Sequence, residues 1–245
     1  METRCPYPDC RFVFDSASHQ ESIVSQASNG FQRAICVNCK RRCTLKPVEL
    51  LEQMEKKEVY LVEQNSLEGG PSVTPEQPAR LLALLEDLRS LQNIGSIFRT
   101  ADAIGFEKIF LSGICGVPNR KDVTKASLGA EEHISWKYSH ASLETLQALK
   151  GEGVFLLGLE LTKTSVDLER LNDPDFPVKL KMPLCMVLGN EVSGVSEEAL
   201  SICDLVCHIA MKGTKESLNV AVAFGIAAYE IARIGKKTEV KLNDS

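Results

Sequence analysis

Three short polar blocks follow long apolar stretches of the chain, and they contain the residue types from which a catalytic site can be built. The blocks are Asn93-Ile94-Gly95 with Arg99, Gly189-Asn190-Glu191 with Gly194, and Ser217-Leu218-Asn219. Each falls where a strand-like apolar run gives way to a turn or helix. Open α/β sheets bind their ligands at such strand ends. The blocks therefore predict a catalytic site along one edge of a sheet.

The nine cysteines fall into two groups that predict two roles. Five crowd into the first 43 residues, namely Cys5, Cys10, Cys36, Cys39 and Cys43. Two close pairs, Cys5-x4-Cys10 and Cys36-x2-Cys39, can supply four thiolates to a tetrahedral zinc ion. The spacing predicts a zinc-ribbon-like module over residues 1–46, in which Cys43 or His19 could replace a ligand; the alternative is free thiols in a small apolar core. The later cysteines, Cys115, Cys185, Cys203 and Cys207, are predicted to be buried core residues.

Length and composition narrow the class of protein. With 245 residues, 44% hydrophobic and 25% charged, the chain suffices for one catalytic domain and a small module, and disordered or fibrous classes are excluded. No apolar stretch reaches the roughly 18 uncharged residues of a membrane span, and a signal-peptide pattern is not found at the N-terminus. We therefore expect a cytoplasmic protein with no membrane partner, whose cysteines are thiols or metal ligands.

Charge is unevenly distributed along the chain. Residues 1–46 contain seven basic and four acidic residues, a net charge of +3, whereas the whole chain carries −5. A phosphate-binding surface must therefore be local. Lys40-Arg41-Arg42, directly after Cys39, is the best candidate for such a surface, and a merely solvated loop is the alternative.

The elements that must position the polar blocks follow from the hydrophobic pattern. Residues 47–78 are predicted to form a helix and then a Gly- and Pro-containing linker. Beyond them, strands are predicted at 81–85, 108–111, 133–138, 154–161, 184–188 and 206–211, and helices at 96–105, 121–129, 143–150, 196–203 and 217–233. This alternation predicts a parallel sheet covered by helices on both faces. Residues 236–245 are predicted to be a C-terminal tail.

The three blocks together resemble a known family. A GxxxxGK[ST] loop or strand-following GxGxxG is not found in the sequence, so an ordinary P-loop or Rossmann enzyme is not expected. In order and spacing, residues 91–102, 187–195 and 209–223 resemble the three motifs of the SpoU/TrmH-type RNA 2′-O-ribose methyltransferases of the SPOUT superfamily. The resemblance covers about residues 79–235 and leaves out the cysteine-rich N-terminus.

The resemblance implies a fold, partners and site residues. The fold is a SPOUT-type α/β domain with a C-terminal trefoil knot, and the assembly is a homodimer, which small residues in the last helix would also suit. The implied cofactor is S-adenosylmethionine. Matched positions imply that backbone groups and apolar walls at Gly189, Ile209, Met211 and Leu218 bind the cofactor. They imply catalytic roles for Asn93, Arg99, Glu191, Ser217 and Asn219.

Each of these residues also has a purely structural interpretation. Gly189 and Gly194 could be turn glycines, and Ser217 could be the N-cap of the last helix. Arg99 could form an ion pair with Asp102 on a helix surface. Glu191 could accept hydrogen bonds from loop amides instead of touching substrate.

The function implied by the resemblance is methylation of a ribose 2′-hydroxyl in tRNA or rRNA. This chemistry requires no metal, so a bound zinc ion would be structural. Because a guanidinium strongly resists deprotonation, Arg99 is expected to hold an RNA phosphate and polarise the hydroxyl, leaving the proton to the phosphate, Glu191 or water. The alternatives are a non-catalytic RNA-binding or assembly factor with the same fold and an enzyme that methylates a base.

Overall fold

The chain divides into two compact units, residues 1–67 and 68–245. The structure is a computed structural model that describes residues 68–71 and 81–243, with side chains as far as residue 235, and six short strands within residues 1–67. Each unit is described separately below.

The N-terminal unit contains two small antiparallel sheets. Its strands are β1 (Thr3–Arg4), β2 (Val13–Phe14), β3 (Ile23–Gln26), β4 (Gln32–Ile35), β5 (Arg42–Thr44) and β6 (Lys46–Pro47). One sheet has the order β2-β1-β6 and the other β3-β4-β5. Cys43 lies in β5. The other residues named for the zinc site, Cys5, Cys10, Cys36, Cys39 and His19, lie outside the described residues.

An eight-stranded sheet organises the second unit. Its strands are β7 (Glu68–Gly69), β8 (Leu81–Glu86), β9 (Lys108–Ser112), β10 (Ser135–Ser139), β11 (Phe155–Leu159), β12 (Val166–Asp167), β13 (Leu184–Leu188) and β14 (Leu205–His208). They lie in the order β12-β14-β11-β13-β8-β9-β10-β7. Every pairing is parallel except that of β7 with β10. The predicted parallel α/β sheet is confirmed.

The strand order creates a crevice at the centre of this sheet. From β8 the chain adds β9 and β10 on one side, and β11, β13 and β14 all lie on the other side of β8. The direction of winding therefore reverses between the neighbouring strands β8 and β13. In open α/β sheets, ligands bind outside the carboxyl ends of the strands at such a switch point.

Helices cover both faces of the sheet. They are α1 (Leu91–Ile104), α2 (Lys121–Ser127), α3 (Ser142–Gly151), α4 (Glu197–Ile202) and α5 (Val220–Asn243), with 3-10 turns at Ala130–Glu132 and Leu168–Asn172. Alternate residues of β8 enter separate cores: Leu85 packs with residues of α1 and α5, and Leu84 with residues of α3 and α4. Burial on both faces explains the unbroken apolar runs of β8 and β13.

Several element boundaries differ from the sequence-based prediction. Helix α1 begins five residues early, at Leu91, where Ser90 caps it by accepting a hydrogen bond from the Asn93 amide (3.2 Å). Its Gly95 weakens the helical signal, but a Cβ at this position would lie 2.5 Å from the Val123 carbonyl oxygen, so α2 can pack here only against glycine. Strand β7 lies in the predicted linker, because two residues are too few to produce a periodic pattern.

The last helix also differs from its predicted range. It begins at Val220 instead of Ser217 and continues to Asn243, through most of the predicted tail. The Asn219 Oδ1 atom accepts hydrogen bonds from the amides of Ala221 (2.9 Å) and Val222 (3.4 Å). Asn219 therefore caps α5, and the N-cap interpretation of Ser217 is wrong.

The later cysteines behave largely as predicted. Cys115, Cys185 and Cys207 are buried free thiols, and Cys203 is partly buried. Burial raises the pKa of the Cys203 and Cys207 thiols to about 12, which disfavours the reactive thiolate form. Among the described residues, no helix is long and apolar enough to cross a membrane.

Candidate active site

The three polar blocks converge at the switch point of the sheet. The first forms the beginning of α1 after β8, the second follows β13, and the third leads from β14 into α5. Because β8 and β13 are parallel neighbours, their following loops emerge side by side at the same edge. The sheet thus brings Asn93 of the first block beside Glu191 and Asn219, which lie 98 and 126 residues further along the chain.

A chain of hydrogen bonds joins one residue from each block. The side-chain Nδ2 atom of Asn219 donates to Asn93 Oδ1 (3.0 Å), and the side-chain Nδ2 atom of Asn93 donates to Glu191 Oε1 (3.0 Å). The direction of the chain is set at α5, because Asn219 uses its oxygen as the helix cap and so has only its NH2 group to offer Asn93. Asn93, the central residue, is therefore oriented by both neighbours.

Glu191 also joins the second block to the start of α1. Its carboxylate accepts hydrogen bonds from the backbone amides of Ser90 (3.1 Å) and Arg89 (3.3 Å) in addition to the Asn93 side chain. Amides at the beginning of a helix lack intrahelical partners, and a carboxylate there is favoured by the helix dipole. The structure therefore contains the loop-amide contacts that one interpretation of Glu191 required.

The loop that carries Glu191 is closed by its own backbone. The Asn190 and Gly194 backbones exchange hydrogen bonds (3.1 and 2.9 Å), and the buried Asn190 side chain donates to the Asp87 carbonyl oxygen (2.7 Å). A Cβ at Gly189 would lie 2.1 Å from the Gly194 carbonyl carbon, and Gly194 itself has a φ of +72°. Both glycines are therefore required by the turn, whether or not a ligand approaches them.

A cavity of about 360 Å³ adjoins this loop. All four residues implied to bind the cofactor line it, together with three of the residues implied to be catalytic: Gly189, Ile209, Met211, Leu218, Glu191, Ser217 and Asn219. Asn93 lies in an adjoining groove that it shares with Asn219. Arg99 lies on the exposed face of α1 and is not among the residues that line the cavity.

The charged residues that line the cavity are acidic. Its lining includes three acidic residues, Glu160, Glu191 and Glu216, together with His208, and the described lining contains no lysine or arginine. Apolar side chains, including Ile209, Met211 and Leu218, supply the remaining walls. Such a cavity suits a ligand with an apolar ring and a positively charged part.

Other predicted interactions have clear outcomes in the described residues. The described part of the chain contains no ion pair between Arg99 and Asp102. His208 contacts Ser165 Oγ through Nδ1 (2.9 Å) and also lines the cavity. No group of three or more potential metal ligands occurs among the described residues.

Glu160 is a cavity residue that sequence reasoning missed. It directly follows the apolar strand β11 and lines the cavity with its carboxylate hydrogen-bonded to two backbone amides. Sequence reasoning missed it because the predicted strand extended to residue 161 and so included Glu160, whereas the observed strand ends at Leu159.

The role of Asn219 in two hydrogen-bonding systems can be separated by mutation. We expect Asn219→Ala to lower the free energy of unfolding by about 1 kcal/mol, because it removes the cap of α5. Asn219→Asp keeps an acceptor for the helix amides and should retain most of this stability, although it cannot donate to Asn93. Urea unfolding of both variants measures the difference, and equal losses would contradict the assignment of Asn219 as the cap.

The chain is similar in sequence to two curated proteins that are named as RNA methyltransferases. YacO of Bacillus subtilis strain 168, whose name assigns it provisionally to the TrmH family of tRNA/rRNA methyltransferases, is 34% identical over 158 residues, which are 64% of this chain and 59% of YacO. The tRNA (guanosine(18)-2′-O)-methyltransferase of Escherichia coli K12 is 28% identical over 153 residues, 62% of this chain and 63% of that protein. The aligned region spans about three fifths of the length of these curated relatives.

A solved structure matches about two thirds of the chain. The AdoMet-bound rRNA methyltransferase from Sinorhizobium meliloti superimposes with a TM-score of 0.58 and 27% identity, covering 66% of this chain and 58% of that one. The SpoU rRNA Methylase family matches residues 80–229, which contain all three polar blocks. The chain therefore belongs to the SpoU rRNA Methylase family.

Proposed function

We propose that this protein is an S-adenosylmethionine-dependent methyltransferase that acts on a ribose 2′-hydroxyl of tRNA or rRNA. The observation that carries the proposal is the convergence of the three family blocks at the switch point of the sheet, where two of them line one acidic and apolar cavity and the first borders the adjoining groove. Membership of the SpoU rRNA Methylase family and similarity to an AdoMet-bound methyltransferase support the same activity.

The cavity suits S-adenosylmethionine in size, polarity and charge. Its volume of about 360 Å³ lies within the range of small-molecule sites. Ile209, Met211 and Leu218 provide apolar walls for an adenine ring, and backbone groups at Gly189 could bond its polar edge. The three carboxylates favour a ligand that carries a sulfonium and an ammonium group. When bound, the cofactor supplies an electrophilic methyl group for transfer to oxygen.

The residues around the cavity would divide the remaining work. We assign Arg99 to an RNA phosphate, because a guanidinium stays protonated and cannot serve as a base. Asn93 would orient the ribose hydroxyl, held in place by Asn219 and Glu191, and Ser217 would shape the cavity wall. Glu191 already accepts three N–H donors. We therefore assign it a positioning role and leave the hydroxyl proton to the phosphate or to water.

A methyl-transfer assay tests the proposed activity. Full-length protein would be incubated with labelled S-adenosylmethionine and separate tRNA and rRNA pools, beside Arg99→Ala, and the digested nucleosides analysed by mass spectrometry. We expect a 2′-O-methylated nucleoside from one pool and a loss of at least tenfold in the variant, because a charge-assisted phosphate contact is removed.

The other outcomes of this assay distinguish the alternatives. A methylated base would contradict ribose chemistry while preserving the cofactor. Binding of RNA without binding of S-adenosylmethionine would favour the non-catalytic assembly factor.

We also propose that the protein is a homodimer, joined through an apolar face of α5. Val222, Ile226 and Tyr229 recur at helical spacing and are 51%, 44% and 67% exposed. This face is continuous with the groove that contains Asn93 and Asn219, so a second copy docked here would lie beside the site. The small residues of the last helix, which we expected to admit a partner, include Ala227 and Ala228, but these two are buried in the protein's own core. The exposed apolar face is the better-supported contact.

The proposed dimer predicts a specific change in mass. Ile226→Glu should convert a dimer into a monomer, because it places a charge in the apolar contact, and light scattering after size-exclusion chromatography would measure the mass. Leu128→Glu is the matched control, since Leu128 is equally apolar and 66% exposed but lies beyond α2. Dimers of unchanged stability in both variants would exclude this face.

For the N-terminal unit we propose a zinc-ribbon-like module over residues 1–46, with Cys5, Cys10, Cys36 and Cys39 as ligands. Along the chain, the first pair falls between β1 and β2 and the second between β4 and β5. Each of these strand pairs is antiparallel, an arrangement that supports cysteine pairs in hairpin turns. Residues 47–78 would connect the module to the methyltransferase domain at 79–235. The trefoil knot and a cytoplasmic location stay predictions.

Thiol modification tests the zinc proposal. We expect about one zinc ion per chain by elemental analysis, and we expect iodoacetamide to modify the N-terminal cysteines only after chelation. Cys115, Cys185 and Cys207 provide the internal control, because burial should protect them with or without metal. Rapid modification of the N-terminal cysteines in untreated, metal-free protein would contradict the proposal.

A further inference from the structure

We propose that the Glu160 carboxylate binds the ribose hydroxyls of the nucleoside cofactor. The inference rests on the proposed function, and it adds a specific ligand contact at a residue outside the three family blocks. It depends on the position of Glu160, on the acceptor capacity left on its carboxylate, and on the glycine that faces it.

Glu160 lines the cavity and is held by three hydrogen bonds. Its backbone amide donates to the Cys207 carbonyl oxygen (2.9 Å), which extends the pairing of β11 with β14 by one residue. Its Oε2 atom accepts a hydrogen bond from the Val195 amide (2.9 Å), and its Oε1 atom accepts one from the Leu161 amide (3.1 Å). The carboxylate therefore bridges the end of β11 and the loop after β13.

The two backbone amides do not occupy all the acceptor positions of the Glu160 carboxylate. An ionised carboxylate offers about four acceptor positions, and the structure gives each Glu160 oxygen one donor. In the described residues Glu160 has no ion pair with lysine, arginine or histidine. One acceptor position on each oxygen thus remains for a ligand in the cavity that Glu160 lines.

Two neighbouring acceptors match a vicinal diol. The 2′- and 3′-hydroxyls of a ribose are two donors on adjacent carbons, and an acidic residue near a strand end binds ribose hydroxyls in dinucleotide-binding α/β folds. Because the Glu160 carboxylate is already oriented by backbone amides, little conformational entropy would be lost when the diol binds.

The other carboxylates of the cavity fit this role less well. Glu191 already accepts hydrogen bonds from three N–H groups, and Glu216 is exposed and makes no hydrogen bond within the described part of the chain. Gly194 supports the same conclusion, because a Cβ there would lie 2.3 Å from Glu160 Oε2. The absence of a side chain at residue 194 leaves the space in which this carboxylate lies.

A cycle of ligand and protein changes tests the contact. Isothermal titration calorimetry on the full chain would measure the affinity of S-adenosylhomocysteine and of its 2′-deoxyribose analogue for wild type, Glu160→Gln and Glu216→Gln. We expect loss of the 2′-hydroxyl to weaken wild-type binding by about tenfold, as for a hydrogen bond to a charged group. In Glu160→Gln, loss of the 2′-hydroxyl should lower the affinity by less than about threefold, because this variant lacks the charged acceptor for that hydroxyl.

Glu216→Gln is the matched control, since it removes a negative charge from the same cavity without removing the proposed contact. It should lower both affinities by the same factor and keep the tenfold discrimination. If Glu160→Gln also binds S-adenosylhomocysteine about tenfold more tightly than the 2′-deoxy analogue, the inference is wrong. Glu160 would then only connect β11 to the loop after β13.

Two further outcomes are decisive even if a variant fails to fold. If wild-type protein binds S-adenosylhomocysteine and its 2′-deoxy analogue equally well, the inference is wrong and the proposed cofactor stands. If wild-type protein binds neither S-adenosylmethionine nor S-adenosylhomocysteine, the proposed function falls and the inference falls with it.

Discussion

The site depends on the hydrogen bonds that Asn93 makes to Glu191 and to Asn219. Each partner also forms hydrogen bonds at the beginning of a helix. Glu191 accepts hydrogen bonds from the backbone amides that precede α1, and Asn219 caps α5. The polar groups that define the beginnings of two helices therefore also define the geometry of the candidate site. A displacement of either helix would leave a donor or acceptor unpaired, which gives the arrangement its specificity.

Beneath this network, the end of β8 anchors the surrounding loops. Glu86 is 3% exposed, and its carboxylate accepts hydrogen bonds from the Ser196 amide (2.7 Å) and from the hydroxyls of Ser196 and Ser142. Asp87 follows with a φ of +56°; its carbonyl oxygen accepts from Asn190, and its Oδ1 atom accepts from the Ile114 amide (3.0 Å). Two adjacent residues thus tie the beginnings of α3 and α4 and the loops after β9 and β13 to the central strand. The buried Glu86 carboxylate is tolerated here because three donors satisfy it.

The residues that line the cavity and the exposed Arg99 lie on different parts of the site. Around the cavity, backbone groups, apolar walls and carboxylates meet, and Glu160 joins the end of β11 to the loop that carries Glu191. Arg99 stands apart on the exposed face of α1. This separation suits the proposed reaction, in which a small cofactor would occupy the cavity and a large RNA would approach the protein surface from solvent.

Much of the fold could be predicted from local sequence. The buried strands β8 and β13 appear as continuous apolar runs, and their alternation with helices predicts a parallel sheet. The beginning of α1 was misplaced because Gly95 weakens the helical signal, and that of α5 because Ser217 and Asn219 both resemble a helix cap and only Asn219 serves as one. Strand β7 was missed because two residues that pair across the sheet leave no local pattern.

The sequence by itself determined which residues were candidates, because polar side chains at the ends of apolar strands are visible in the order of the chain. Only the tertiary structure decided which of them meet. It joined Asn93, Glu191 and Asn219 and left Arg99 outside the cavity. It also added Glu160, whose partner Val195 is 35 residues away. The physical reason is that strand order, which depends on long-range pairing of buried strands, determines which strand ends become neighbours, and local periodicity contains no information about that order.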